Sequence, residues 1–169
     1  AVPEGFDGHT AAAIPLQGMT AHYLVRSSFD VGPGTTLLIT GGAGGVGRLV
    51  IQLARSLGAT VIATVGSEEK AEVARKAGAQ HVLVLGEMDN LDADIPAAVR
   101  EIVPEGVDVS YDGIGKDPFE GTLASIRPRG LQVLFGGASG QVPPFDLQRL
   151  NRMGSLFITR PSLSWHVAT

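Results

Sequence analysis

Gly42, Gly44 and Gly47 stand in the spacing G-x-G-x-x-G. That spacing serves one kind of chemistry, the approach of a backbone turn to a diphosphate. The first glycine permits the tight turn, the second lets the main chain come close to the phosphates, and the third lets the next helix pack on the strand. Negative charge then rests at the positive end of that helix. The motif is informative only between a strand and a helix. Here the apolar run Leu37, Leu38, Ile39 precedes it, and Val46, Leu49, Val50, Leu53, Ala54 and Leu57 follow with helical period. Thr36 to Leu57 therefore reads as buried strand, glycine turn and amphipathic helix, the stretch on which a dinucleotide would sit.

The kind of dinucleotide turns on the end of the next strand. An NAD site carries an acidic residue there for the ribose 2′-hydroxyl. This chain has Gly66 and Ser67 instead, with Lys70 about one turn on. A small hydroxyl and an ammonium group complement a 2′-phosphate, so NADP(H) is the expected cofactor. Ser67 also precedes Glu68 and Glu69, acids that favour a first helical turn, and a capping serine here faces the ligand crevice too. Other strand ends supply Asp112, Gly113 and Ile114, then Phe135, Gly136, Gly137 and Ser139. The repeated glycines are expected to admit a flat ring and its ribose, and Asp112 either serves the site or caps its turn.

No side chain is a convincing acid, base or nucleophile, so no catalytic residue is assigned. Thr20, Tyr23 and Tyr111 are the hydroxyls worth testing, and the tyrosines read better as packing residues. The chain has no cysteine, and His9, His22, His81 and His166 are scattered without ligand spacing, so no metal is expected. A net charge of -4 offers no basic footprint for nucleic acid. No apolar run reaches membrane-spanning length, and the lack of cysteine fits a cytoplasmic home.

The elements that would position these residues follow in order. His9 to Ser27 suggests two helical pieces broken near Pro15 and Gly18. Strands are expected at Leu37–Ile39, Thr60–Val65, His81–Leu85, Val107–Asp112, Leu131–Phe135 and Ser155–Thr159. Between them lie a helix from Ser67 to Ala77 closed by Gly78, and a second carrying Ile95, Val99 and Ile102 and ending before Pro104. A third starts at Asp117-Pro118, with Asp117 as cap and Phe119, Leu123 and Ile126 facing inward, and a short one starts near Asp146. Six strands alternating with helices make a doubly wound α/β Rossmann sheet, order 3-2-1-4-5-6, with helices on both faces. The sixth strand, SLFIT, is an uncharged edge, a ready surface for two-fold pairing with a second copy.

HTAAAIPLQGMTAHYLV, AGGVG, TVGSEEKAEVARKAGA, YDGIG, GLQVLFGGASG and SLFITRPSL, in that order, resemble the nucleotide-binding half of the zeta-crystallin-like quinone oxidoreductases. These are zinc-independent members of the medium-chain dehydrogenase/reductase superfamily. The resemblance implies NADPH binding at Gly45, Val46 and Gly47, with Gly66 and Lys70 near the 2′-phosphate and Thr20 near the nicotinamide. Phe135, Gly137 and Ser139 would line the same cleft. Leu85 stands where many members carry a tyrosine over the adenosine, and Arg48 replaces a usual apolar residue. The resemblance also implies a homodimer through the sixth strand and a GroES-like substrate domain beyond residues 1–169, a chain that starts without methionine and reads as a fragment. The expected role is the cofactor domain of an NADPH-dependent quinone or enone reductase, poorly active alone. The enoyl-reductase domain of a polyketide or fatty-acid synthase, and a non-catalytic, crystallin-like NADPH-binding module, are the alternatives.

Overall fold

The computed structural model describes residues 4–168. Its centre is one parallel sheet of six strands: β1 (Thr36–Ile39), β2 (Thr60–Val65), β3 (His81–Val84), β4 (Val107–Asp112), β5 (Ile126–Leu134) and β6 (Phe157–Thr159). The spatial order is β3-β2-β1-β4-β5-β6, as the alternation of strands and helices requires. The order reverses beside β1, which pairs with β2 on one side and β4 on the other, Leu38 lying opposite Ile62 and Ser110.

Side chains alternate across each strand and fix which helices cover which face. Leu37 and Ile39 point to one face, against α1 (Gly8–Tyr23), α2 (Gly45–Ser56) and α3 (Glu68–Ala77), through Ala21, Val50, Ile51, Ala54 and Ala74. Leu38 and Ile62 point to the other, against Ile95 and Val99 of α4 (Leu91–Ile102) and Leu123 of α5 (Phe119–Ala124). All of these are fully buried. Each large aliphatic side chain removed from water in this way contributes about 1.5–3 kcal/mol. Helices α6 (Gln148–Arg152) and α7 (Leu163–His166) flank β6 in sequence.

Several local expectations are corrected. Helix α1 runs unbroken through Pro15 and Gly18, then passes into a π-helical turn at Leu24–Ser28. Proline removes one N–H from this helix, but its ring lies on the exposed face. Asp7 caps one end by accepting from Thr10 N at 2.9 Å, and buried Ala21, Tyr23 and Leu24 anchor the other. Strand β5 begins at Ile126, not Leu131, because Pro128, Arg129 and Gly130 form a bulge within the strand. Arg129 takes φ 63 there. Ile126 accordingly belongs to a strand and not to the inward face of α5. That helix starts at Phe119 with Pro118, not Asp117, at the cap and no side-chain capping bond, and the backbone N–H of Asp117 donates to Ser139 Oγ at 3.0 Å. Strand β3 stops at Val84, Leu85 opening a short 3₁₀ turn, and β6 is confined to Phe157–Thr159.

Candidate functional site: a dinucleotide cleft

The glycine turn is pinned to both neighbours of β1. Thr40 N donates to Tyr111 O at 3.0 Å, Gly42 N to Thr64 O at 2.9 Å, and Gly44 N to Gly41 O at 2.8 Å. Helix α2 follows at once, with Gly44 as its cap and Arg48 N to Gly44 O, at 2.9 Å, as its first helical bond. The N–H groups of Gly45, Val46 and Gly47 thus have no helical acceptor and stand at the positive end of the helix dipole. Gly47 lets the helix reach the turn, since a Cβ there would lie 2.3 Å from Gly41 O. Gly42 is buried, and a Cβ on it would meet that of Ala63 at 2.8 Å.

A cleft of about 550 Å³ opens beside this turn. Gly41, Ala43 and Gly44 form one wall, and Thr64, Val65 and Gly66 at the end of β2 another. Lys70 and Val73 of α3, Leu85 after β3 and Ile114 after β4 complete it. Lys70, which is exposed, is the one charged side chain among these lining residues. Gly66 is open, with nothing within 4 Å of where a Cβ would stand. Ser67 occupies the cap position of α3, but its hydroxyl makes no capping bond, contrary to the expectation for it. Glu68, whose charge would oppose a phosphate, is paired with Arg75 at 2.7 Å.

Asp112 is engaged by the chain itself. Its Oδ1 accepts from Thr40 Oγ1 at 2.9 Å, Ile114 N at 2.9 Å and Gly115 N at 3.0 Å, while Oδ2 has no partner. Burial pushes this carboxyl above the usual carboxylate range, against the pull of those hydrogen bonds and the charge of Arg160. Asp112 therefore shapes the turn that carries Ile114 into the cleft instead of lining it. Two glycines expected to admit a ligand ring serve chain packing instead. A Cβ at Gly113 would meet the Phe135 ring at 2.7 Å, and one at Gly136 would meet Gly113 O at 2.3 Å. Gly137 is exposed, and Ser139 Oγ donates to Ile114 O at 3.0 Å, tying the two strand ends together.

A second hollow, about 580 Å³, lies at the ends of β5 and β6. Thr20, Tyr23 and Phe135 line it with Arg160, Pro161 and Leu163. Thr20 Oγ1 donates to Leu16 O at 2.7 Å and keeps only its acceptor capacity. Both tyrosines are structural. Tyr23 is buried and stacks on His166 with ring centroids 4.2 Å apart, and Tyr111 donates its hydroxyl to Leu24 O at 2.9 Å. Sequence reasoning missed Gly41, Ala43 and Val73 in the cleft and Arg160 in the hollow. Val73 was within reach, three residues after Lys70 on the same helix face, whereas a lone arginine after a short strand carries no spacing signal.

The family model described as zinc-binding dehydrogenase matches residues 45–164. The 2-haloacrylate reductase of a Burkholderia species is 47% identical over 157 residues, covering 92% of this chain and 45% of that protein. The Escherichia coli quinone oxidoreductase complexed with NADPH superposes with a TM-score of 0.92 at 40% identity, covering 99% of this chain and 50% of that one. A mycobacterial protein complexed with NADPH gives a TM-score of 0.94 at 45% identity, covering 99% and 51%. The chain spans about half the length of the curated relatives it matches. The family's description names zinc, yet the sequence has no cysteine and no three His, Asp or Glu side chains cluster among the described residues. The residues present do not fit that metal, and no step below runs through one. By the family match over most of its length and its likeness to quinone oxidoreductases in sequence and fold, this chain belongs to the zinc-binding dehydrogenase family, in the zinc-independent quinone oxidoreductase branch of the medium-chain dehydrogenases/reductases.

Proposed function

We propose that this chain is the NADP(H)-binding domain of a quinone or enone reductase. One observation carries the reading: a single cleft runs from Gly44, the cap residue at the start of α2, to an open Gly66 and to Lys70 as its lone charge, with no acid at the end of β2. Gly45, Val46 and Gly47 would hold the diphosphate, and Ser67 and Lys70 the 2′-phosphate. Leu85 and Val73 offer apolar walls to the adenine, while Thr20 and Phe135 flank the nicotinamide end. The bound cofactor supplies hydride chemistry; the domain's part is to bind it, orient it and exclude water. The acceptor is an electron-poor quinone or conjugated alkene, and the names of the relatives favour both classes. A GroES-like domain outside residues 1–169 would close the acceptor site. Pairing of β6 with its copy would make a dimer, Phe157 being 61% exposed on that edge, and the cysteine-free chain suits the cytoplasm.

The test is NADPH consumption by the full-length protein with a soluble quinone, beside NADH at equal concentration. Turnover with NADPH at least about tenfold more efficient than with NADH is expected. Tight NADPH binding without reduction of any quinone or enone would overturn the enzymatic half of the reading and leave a binding module.

A further inference from the structure

The geometry points to the Thr64 hydroxyl as a hydrogen-bonding group for the adenosine half of a bound nucleotide. The inference rests on the reading of the cleft as an NADP(H) site and deepens it, by naming the polar contact between walls that are otherwise apolar.

Thr64 carries the one hydroxyl inside the buried run Val61, Ile62, Ala63, Thr64, Val65 of β2. The strand itself has no need of it, because valine has the same branched shape and favours strands as threonine does. The residue is fully buried, and among the described residues Oγ1 has no hydrogen-bond partner. Its neighbours explain why. On one side Leu83 of β3 stands opposite in register, with no polar side-chain atom to offer. On the other, β1 ends at Ile39, and the hydroxyl of Thr40 just beyond it is spent on Asp112 and Gly113. A hydroxyl buried in this way weakens the fold that holds it, so its use lies in a partner from outside the chain.

Three other buried side-chain atoms among the described residues share this lack of a partner. Asp112 Oδ2 belongs to a carboxyl whose other oxygen accepts three bonds, and Ser110 Oγ and Gln132 Oε1 belong to register partners on β4 and β5. Thr64 alone of the four lines the cleft. Residues two apart along a strand share a face at a spacing of about 7 Å, so Thr64 lies one step deeper than Gly66. Val65, Val73, Leu85 and Ile114 give the cleft apolar surface, and exposed Lys70 its charge. This slot suits a flat base and its ribose, with apolar faces and a few edge atoms that need partners. A hydroxyl donates one hydrogen bond and accepts others, so it can meet either kind of edge atom.

The cost and the gain of this hydroxyl fall in different states. In the free protein it opposes folding; with a nucleotide bound it contributes a hydrogen bond in a buried setting. Replacing it by a methyl group therefore separates two properties that most substitutions in a site move together: stability holds or rises while affinity falls.

The test uses the full-length protein, titrated calorimetrically with NADP+, NAD+ and nicotinamide mononucleotide, and unfolded thermally without nucleotide. Thr64→Val is expected to bind NADP+ and NAD+ about fivefold or more weakly than the wild type, with their ratio unchanged, and to bind nicotinamide mononucleotide as the wild type does. Thr64→Ser, which keeps the hydroxyl, should keep most of the affinity. The free Thr64→Val protein should melt at or above the wild-type temperature. Undiminished NADP+ binding by Thr64→Val, or an equal loss in Thr64→Ser, would overturn the inference. So would a lower melting temperature, which would mean that the hydroxyl is bonded within the fold, and a loss confined to NADP+, which would place it on the 2′-phosphate. A wild type that binds neither NADP+ nor NAD+ would overturn the cofactor reading itself, whereas one that binds both and is matched by Thr64→Val would overturn only the inference.

Discussion

Thr40 Oγ1 donates to Asp112 Oδ1 at 2.9 Å and accepts from Gly113 N at the same distance. One hydroxyl thus couples the end of β1, which begins the glycine turn, to the end of β4, which carries Ile114 into the cleft. Removing Asp112 would orphan this hydroxyl and the N–H groups of Ile114 and Gly115, all held within the fold.

Asp112→Ala is therefore expected to destabilise the fold by about 2–4 kcal/mol, through donors left without acceptors. Asp112→Asn keeps the accepting oxygen and tests the charge. Burial raises the folded carboxyl above its ordinary 3.8, so folding favours the protonated form. Its contribution is complete below 3.8 and is lost as pH climbs through the raised value. Urea unfolding should thus show Asp112→Asn gaining on the wild type between pH 4 and pH 7, values chosen to bracket that loss. A difference independent of pH would mean that the carboxyl is not raised.

Gly47 and Gly66 separate architecture from binding. A Cβ at 47 would be driven into Gly41 O, whereas one at 66 meets nothing within 4 Å. Gly47→Ala is expected to cost about 1–3 kcal/mol by overpacking. Gly66→Ala should leave unfolding within about 0.5 kcal/mol of the wild type and weaken NADPH binding instead. Equal stability of the two variants would show that the third glycine of the motif does not hold α2 against the turn.

Phe157 is the exposed residue of the edge strand, opposite Leu131 in register. In the full-length protein, Phe157→Lys is expected to convert a dimer into a monomer by sedimentation velocity, since a charge on an open edge blocks strand pairing. A wild type that sediments as a monomer, or a variant that stays dimeric, would remove β6 from the interface.

The layout was legible because parallel strands buried on both faces leave unmistakable apolar runs, as at Leu37–Ile39 and Val61–Val65. What escaped was decided by tertiary contact. Pro15 signalled a break, yet a capped and anchored helix absorbs the loss of one hydrogen bond. Pro128-Arg129-Gly130 fell outside the expected fifth strand and is a bulge within it, because β5 pairs with β4 on both sides of it. Of the residues expected to hold the cofactor, Gly44, Gly66 and Lys70 line one cleft, because the dinucleotide motif fixes a distance along the chain. Gly113 and Gly136 were misread because a glycine that admits a ligand and one that admits another loop look alike in sequence. Arg160 depends on the strand order to meet Thr20 and Phe135, and local sequence holds nothing of that.

Calorimetric titration with NADPH and NADH in parallel, on the wild type and on Lys70→Ala, bears most directly on the cleft as an NADP(H) site. The expected result is NADPH bound at least about tenfold more tightly than NADH, with most of that gap lost in Lys70→Ala and NADH binding little altered. Equal affinity for the two nucleotides, or a Lys70→Ala protein that still prefers NADPH as the wild type does, would contradict it.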